Sequence, residues 1–171
     1  LGYPKDHPAC VKRMEAVDRF MLEKDGRLWM QACISPLWDT AIAANTLLDS
    51  GLPPDHPALV KAGEWIINKQ VVKRGDWQVK NPGAEPGGWA FEFYNELYPD
   101  TDDTAEILLF LNRIEIADNR WKLSKCQRAM NWLLSMQSKS GGWGAFDVDN
   151  DKEVLNEIPF ADHKALLDPP T

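Results

Sequence analysis

Asp55-His56-Pro57-Ala58-Leu59-Val60-Lys61 is the second copy of a heptapeptide already present as Asp6-His7-Pro8-Ala9-Cys10-Val11-Lys12. At the same offset Glu15 matches Glu64 and Gly26 matches Gly75, with Trp29 and Trp77 close behind. A second correspondence links Ala62, Trp65, Ile66 and Gln70 to Ala129, Trp132, Leu133 and Gln137. Each of those blocks runs on into glycine and tryptophan, as Gly75-Asp76-Trp77 and as Gly141-Gly142-Trp143. A third pairs Asp39-Thr40-Ala41 with Asp103-Thr104-Ala105, both opening apolar runs. Self-similarity of this kind marks a fold assembled from repeated units.

The repeated unit is helical. Asp55 or His56 can cap a helix that has Pro57 in its first turn, where proline lacks only a hydrogen the helix would not use. Val60, Gly63, Glu64 and Ile67 continue at helical spacing. Asp39 is expected to cap a helix that Gly51-Leu52-Pro53-Pro54 stops. Asp103 or Thr104 is expected to start another, to about Arg113. The predicted helices are thus 6–24, 39–50, 55–70, 103–113 and 122–137. No stretch alternates with β-branched enrichment, so strands should be few. Helices 6–24, 55–70 and 122–137 carry many charges and read as an outer layer; 39–50 and 103–113 are apolar and read as an inner one. The expected fold is all-α: an α/α toroid of inner and outer helices. Gln70 and Gln137 are expected to clamp neighbouring helices through backbone groups, with the following tryptophan packed on the amide. The long connection 71–99 holds Pro82, Gly83, Pro86, Gly87 and Gly88, and a long ordered loop in a compact domain is usually functional.

Composition sets the class. The chain has 171 residues, 44% hydrophobic and 26% charged, enough for an ordinary core. The net charge of -7 argues against nucleic acid, which needs a basic face. No run approaches the ~20 apolar residues of a membrane span. Starting at Leu1 and stopping at Asp168-Pro169-Pro170-Thr171, the chain reads as an internal piece of a longer protein. Cys10, Cys33 and Cys126 are odd in number and in no metal spacing, so reduced thiols are expected. Eight tryptophans are the compositional outlier.

Chemistry concentrates in Asp100-Thr101-Asp102-Asp103-Thr104-Ala105, just after Tyr98-Pro99. Where Asp39-Thr40-Ala41 opens a helix, one aspartate suffices. By analogy Asp103 is the cap, and Asp100 and Asp102 are surplus to structural need. Carboxyls crowded beside an apolar interior repel one another, so at least one tends to keep its proton near neutral pH. Such an acid suits protonation of a weak base. A divalent ion is the rival occupant, but Ala105 and Leu111 stand where an EF-hand loop needs glycine and glutamate. Asp147, Asp149 and Asp151 fail likewise, with Lys152 and Ile158 at those two positions. Paired carboxylates of a glycosidase need about 5 Å or more between them, and Asp100 and Asp102 are too close in sequence to flank a sugar easily. No Ser-His-Asp set, phosphate loop or metal-grade Cys/His set is present, so neither cofactor nor metal is expected. Trp89, Phe91, Phe93, Tyr94 and Tyr98 precede the acids, Trp38 precedes the equivalent helix, and Phe146 and Phe160 follow. They are either aromatic core or the π-faced wall of a cavity, where each face attracts a cation by roughly 0.5–2 kcal/mol.

Several stretches together resemble the squalene–hopene cyclases among the class II triterpene cyclases. They are Gln31 to Thr40, Pro86 to Phe93, Tyr98 to Ala105, Gly141 to Asp149, Ile158-Pro159-Phe160 and Asp168-Pro169-Pro170. The Asp-x-Asp-Asp-Thr-Ala form is the specific marker; oxidosqualene cyclases usually carry a shorter Asp-Cys-Thr-Ala. The resemblance implies that the chain is the middle of one α/α-barrel catalytic domain, residues 1–171. It implies Asp102 as proton donor, with Asp100 and Asp103 as supporting carboxylates. Trp38, Trp89, Phe91, Phe146 and Phe160 are the substrate-facing aromatics, and squalene or a related polyprene is the substrate. A homodimer attached peripherally to the cytoplasmic side of a bacterial membrane, through parts outside this chain, is also implied. The family places a basic or imidazole partner of the acids after the Asp-Pro-Pro segment, beyond Thr171, so the isolated piece is expected to be inactive. The alternatives are a class II diterpene or sesquarterpene cyclase, and a non-catalytic helical-toroid binding module with the acids on its surface. A buried Asp102 favours catalysis and an exposed one favours binding.

Overall fold

A computed structural model describes residues 2–30, 34–92 and 95–150. It falls into two compact units, residues 1–34 and 35–171, each taken here by itself.

In the first unit α1 spans Pro8–Asp18, and β1 (Met21–Lys24) pairs antiparallel with β2 (Arg27–Met30). His7 caps α1: its Nδ1 accepts the Ala9 N–H at 3.2 Å. The expected single helix 6–24 is therefore cut short. Asp25 and Gly26 both sit at positive φ, 53° and 71°, the two-residue turn whose twist suits a hairpin. That turn folds Met21–Lys24 back as a strand. Neither α1 nor the hairpin buries a residue within this unit.

The second unit holds α2 (Pro36–Asp49), α3 (Pro57–Asn68), a 3₁₀ turn (Asp76–Val79), α4 (Thr101–Arg113) and α5 (Asn119–Ser135). Two-residue strands β3 (Trp89–Ala90) and β4 (Pro99–Asp100) pair antiparallel, Trp89 opposite Asp100. α3 begins as its sequence dictates: His56 Nδ1 accepts the Ala58 N–H and Pro57 occupies the first turn. α2 starts earlier than expected. Ser35 stands at its N-cap with Pro36 behind, so Asp39 lies inside the first turn and is not the cap. There its charge still complements the positive end of the helix. Gly51, at φ 93°, ends α2 in the left-handed conformation that glycine adopts freely. α5 begins at Asn119, where Asp118 caps through the Trp121 N–H.

α4 is the central element and touches α2, α3 and α5. Its Ile107, Phe110 and Leu111 meet Leu37, Ala41 and Ala44 of α2 and Leu59, Ile66 and Ile67 of α3. Burying one such side chain stabilises the fold by roughly 1.5–3 kcal/mol. Across the α2–α4 contact, Asn45 Nδ2 donates to Glu106 Oε1 at 2.8 Å, and Arg113 donates to Asn45 Oδ1 and Asp49 Oδ1. A second cluster gathers Trp77, Ala84, Trp132 and Met136, with Trp77 edge-on to Trp132 at 5.9 Å between ring centres. The repeated glutamines differ from one another. Gln70, buried just past the end of α3, donates to Gly87 O at 2.8 Å and to Lys125 O of α5 at 2.9 Å. Gln137 is exposed and donates to the nearby Gly141 O. Among the described residues no helix is long and apolar enough to cross a membrane.

Candidate active site

The acidic cluster sits at the start of α4, and strand pairing decides which acid does what. Pairing with Trp89 holds Asp100 in extended backbone, φ -109° and ψ 135°. The next residue turns helical, so Asp100 becomes the N-cap. Its Oδ1 accepts the N–H groups of Asp102 at 2.8 Å and Asp103 at 3.3 Å. This corrects the analogy with Asp39: Asp100 caps, and the acids free of capping duty are Asp102 and Asp103.

Those two differ sharply. Asp103 is 1% exposed, and its Oδ1 has no hydrogen-bond partner among the described residues. Burial, then the charges of Asp100 and Asp102, push its carboxyl up to about 7 from an ordinary 3.8. Near neutral pH it is therefore substantially protonated. Asp102 is exposed. By the criterion set from sequence, this exposure by itself favours binding and not catalysis. It does identify the reachable acid. Asp103 at 1% and Asp100 at 7% exposure are covered within this chain, which leaves Asp102 as the exposed acid. At helical spacing Asp102 shares a face of α4 with Ala105 and Leu109. Both line an apolar groove of about 620 Å³ between α4 and α5, with Leu123, Cys126 and Met130 opposite. Among the described residues no three His, Cys, Asp or Glu side chains converge to hold a metal.

The aromatics divide. Trp89 is fully buried; its indole N–H donates to Ile66 O at 2.8 Å and its backbone N–H to Thr104 Oγ1 at 2.9 Å. It packs as a core residue. Phe91, two residues beyond in the same connection, is half-buried, as is Trp38 on α2. Phe146 is 40% exposed and with Asn95 and Tyr98 lines a hollow of about 300 Å³. Thr101 ties that segment to the acids: its N–H donates to Ala145 O at 2.9 Å and its hydroxyl to Gly144 O at 3.0 Å. Phe160 lies outside the described residues. Sequence reasoning passed over Thr101 and read Thr104 only as a possible helix start. The signal was there, since a threonine pair in the first turn of an apolar helix places two hydroxyls beside the cap.

Residues 34–171 match the family model described as "Squalene-hopene cyclase C-terminal domain". Among similar proteins, the "Squalene-hopene cyclase" of Schizosaccharomyces japonicus is 44% identical over 100% of this chain and 27% of its own length. The "Squalene--hopene cyclase" of Alicyclobacillus acidocaldarius subsp. acidocaldarius is 46% identical over 96% of this chain and 26% of its own. The "Dammaradiene synthase" of Dryopteris crassirhizoma is 43% identical over 100% of this chain and 25% of its own. The chain thus spans about a quarter of the length of the curated relatives it matches. With a family model covering most of its residues and an Asp-x-Asp-Asp-Thr-Ala cluster built into the head of its central helix, the chain belongs to the squalene-hopene cyclase family.

Proposed function

We propose that the complete protein carrying this chain is a class II triterpene cyclase that protonates squalene and closes it to hopene- or hopanol-type pentacycles. One observation carries the reading: of three crowded carboxyls, Asp102 alone is open, while a covered and largely neutral Asp103 stands behind it. A terminal alkene is a very weak base, so its acid must be protonated, aimed, and relieved of charge after donation. A dry, shaped cavity in the complete protein folds the substrate and keeps water from quenching the cations early. On donation the new carboxylate lies in the first turn of α4, where the helix dipole favours negative charge. Asp103, its carboxyl raised to about 7, adds less than a full second charge beside it. Asp100 holds the turn in shape through two backbone N–H groups. Phe91, Phe146 and Trp38 are the aromatics that later cations would meet, because π faces stabilise a cation without capturing it.

In the same reading the chain is part of one α/α-toroid domain, with α2 and α4 inside, α3 and α5 outside, and Gln70 clamping the end of α3 to α5. Phe160 joins the aromatic wall. The complete protein is a homodimer bound peripherally to the cytoplasmic face of a bacterial membrane, and it uses neither metal nor cofactor.

The test gives squalene, and isoprenoids shorter and longer than squalene, to the complete protein, with products read by mass spectrometry. Squalene should be consumed and pentacycles formed. Asp102→Asn keeps size and cannot donate a proton, so cyclisation should vanish with folding intact. A variant retaining a tenth of wild-type turnover, a barrier change of only about 1.4 kcal/mol, would remove Asp102 from the donor role.

A further inference from the structure

Thr104 is fully buried in the first turn of α4. Its hydroxyl donates to Asp100 O at 2.7 Å. Helical threonines often make that back-bond one turn down, so alone it would mean little. Here the same oxygen also accepts the Trp89 N–H at 2.9 Å. Trp89 is the strand partner of Asp100, so the two residues are joined once by the β3–β4 pairing and again through Thr104. The other side of that join is fixed too. Val71 N–H donates to Gly88 O, the Gln70 amide to Gly87 O, and the Trp89 indole to Ile66 O. Gly88 must be glycine for the approach: a Cβ there would lie 2.9 Å from Thr104 Oγ1 and 2.6 Å from the Trp132 ring. A buried run of hydrogen bonds thus leads from the end of α3, through the 87–89 segment, to the Asp100 carbonyl. The carboxylate of the same Asp100 grips the N–H of Asp102.

We infer that Thr104 is a positioning residue for proton donation: by bridging Trp89 to Asp100 it fixes the cap that aims Asp102. This rests on the cyclase reading. Thr104 acts before the first bond closes. Losing its hydroxyl therefore lowers turnover without changing which rings form, whereas general loosening of the site would alter both.

The complete protein and its Thr104→Val, Thr104→Ser and Thr104→Cys variants are assayed with squalene below their melting temperatures, with kcat, KM and product ratios measured. Thr104→Val should lose at least tenfold in kcat, with KM within threefold and product ratios unchanged, and Thr104→Ser should stay within threefold of wild type. Thr104→Val turnover within threefold of wild type, or new early-terminated products accompanying its loss, overturns the inference. If the valine variant does not fold, the decision passes to serine and cysteine. A cysteine variant slower than the serine variant upholds the hydroxyl's role, and equal turnover overturns it. Wild-type protein that leaves squalene and the other isoprenoids unchanged refutes the cyclase reading itself, a result separate from any ranking of the variants.

Discussion

Replacing Asp103 by asparagine should change how stability depends on pH. A carboxyl raised to about 7 in the fold and ordinary at 3.8 when unfolded binds its proton more tightly in the native state. Below pH 4 both states are protonated and the group favours neither. As pH rises from about 4 to 7 the unfolded chain ionises and gains stability that the folded one is denied. Above about 7 both are ionised and the loss levels off. Roughly three pH units at about 1.4 kcal/mol each set an upper figure of about 4 kcal/mol. Allowing for solvent screening from the open Asp102 side brings the expectation to roughly 2 kcal/mol. Asparagine cannot ionise, so the variant escapes the loss. The assay is the difference in melting temperature between complete Asp103→Asn and wild-type proteins, measured from pH 4 to 8. In a protein some four times this length, 2 kcal/mol is about 1–2 °C. The difference should grow in favour of asparagine up to pH 7 and then stay flat. The offset at pH 4 reports only how the amide fits, whereas the slope reports the proton. A difference constant across the range would mean that Asp103 titrates normally and is not the covered neutral acid described.

Phe91→Ala should slow the complete enzyme or release partly cyclised products, since one π face near a developing cation is lost; an unchanged rate and profile would take Phe91 out of the cavity wall. Gln70→Ala should cost on the order of 1–3 kcal/mol in urea unfolding, because it strips the buried Gly87 carbonyl of its amide donor and breaks the tie to Lys125 O of α5. Gln137→Ala, stripping one exposed local bond, should cost about 0.5 kcal/mol or less, which lowers the equal cost that repetition alone suggests. Equal losses at the two glutamines would contradict that difference. Cyclisation should survive excess chelator, because carboxyls that must hold a proton are poor metal ligands; loss on chelation with recovery on added magnesium would point to a diphosphate-ionising enzyme instead.

What could be read from the sequence were signals that coincide locally. His56 and Pro57 agree on where α3 starts, and it starts there. The acidic cluster was legible as a site because three acids before an apolar helix exceed what capping needs. Which acid caps was not legible. That is decided by the pairing of Pro99–Asp100 with Trp89–Ala90, a contact between residues nine and eleven apart that no local preference sets. The analogy with Asp39 failed for a related reason. Ser35-Pro36 starts α2 a full turn earlier, so matching Asp-Thr-Ala triplets occupy different helical positions. Helix 6–24 was overextended because Met21–Lys24, the strand that the Asp25-Gly26 turn pairs with the next, was read as part of one helical run. Trp89 was grouped with the cavity aromatics by its neighbours in sequence, and only the fold reveals its indole spent on Ile66.

The Asn45–Glu106 bond carries a consequence for alignment. Ala41 and Ala44 give α2 a smooth flank against α4, and a smooth flank offers little resistance to sliding by a turn. Asn45 supplies the notch. Its amide donates to the Glu106 side chain and its oxygen accepts from Arg113, so a slip of either helix forfeits both bonds together. Asn45 lies two turns along α2 from Trp38, and Glu106 one turn along α4 from Asp102. The Asn45–Glu106 pair thereby acts as a ruler, setting how far the indole of one helix stands from the acid of the other.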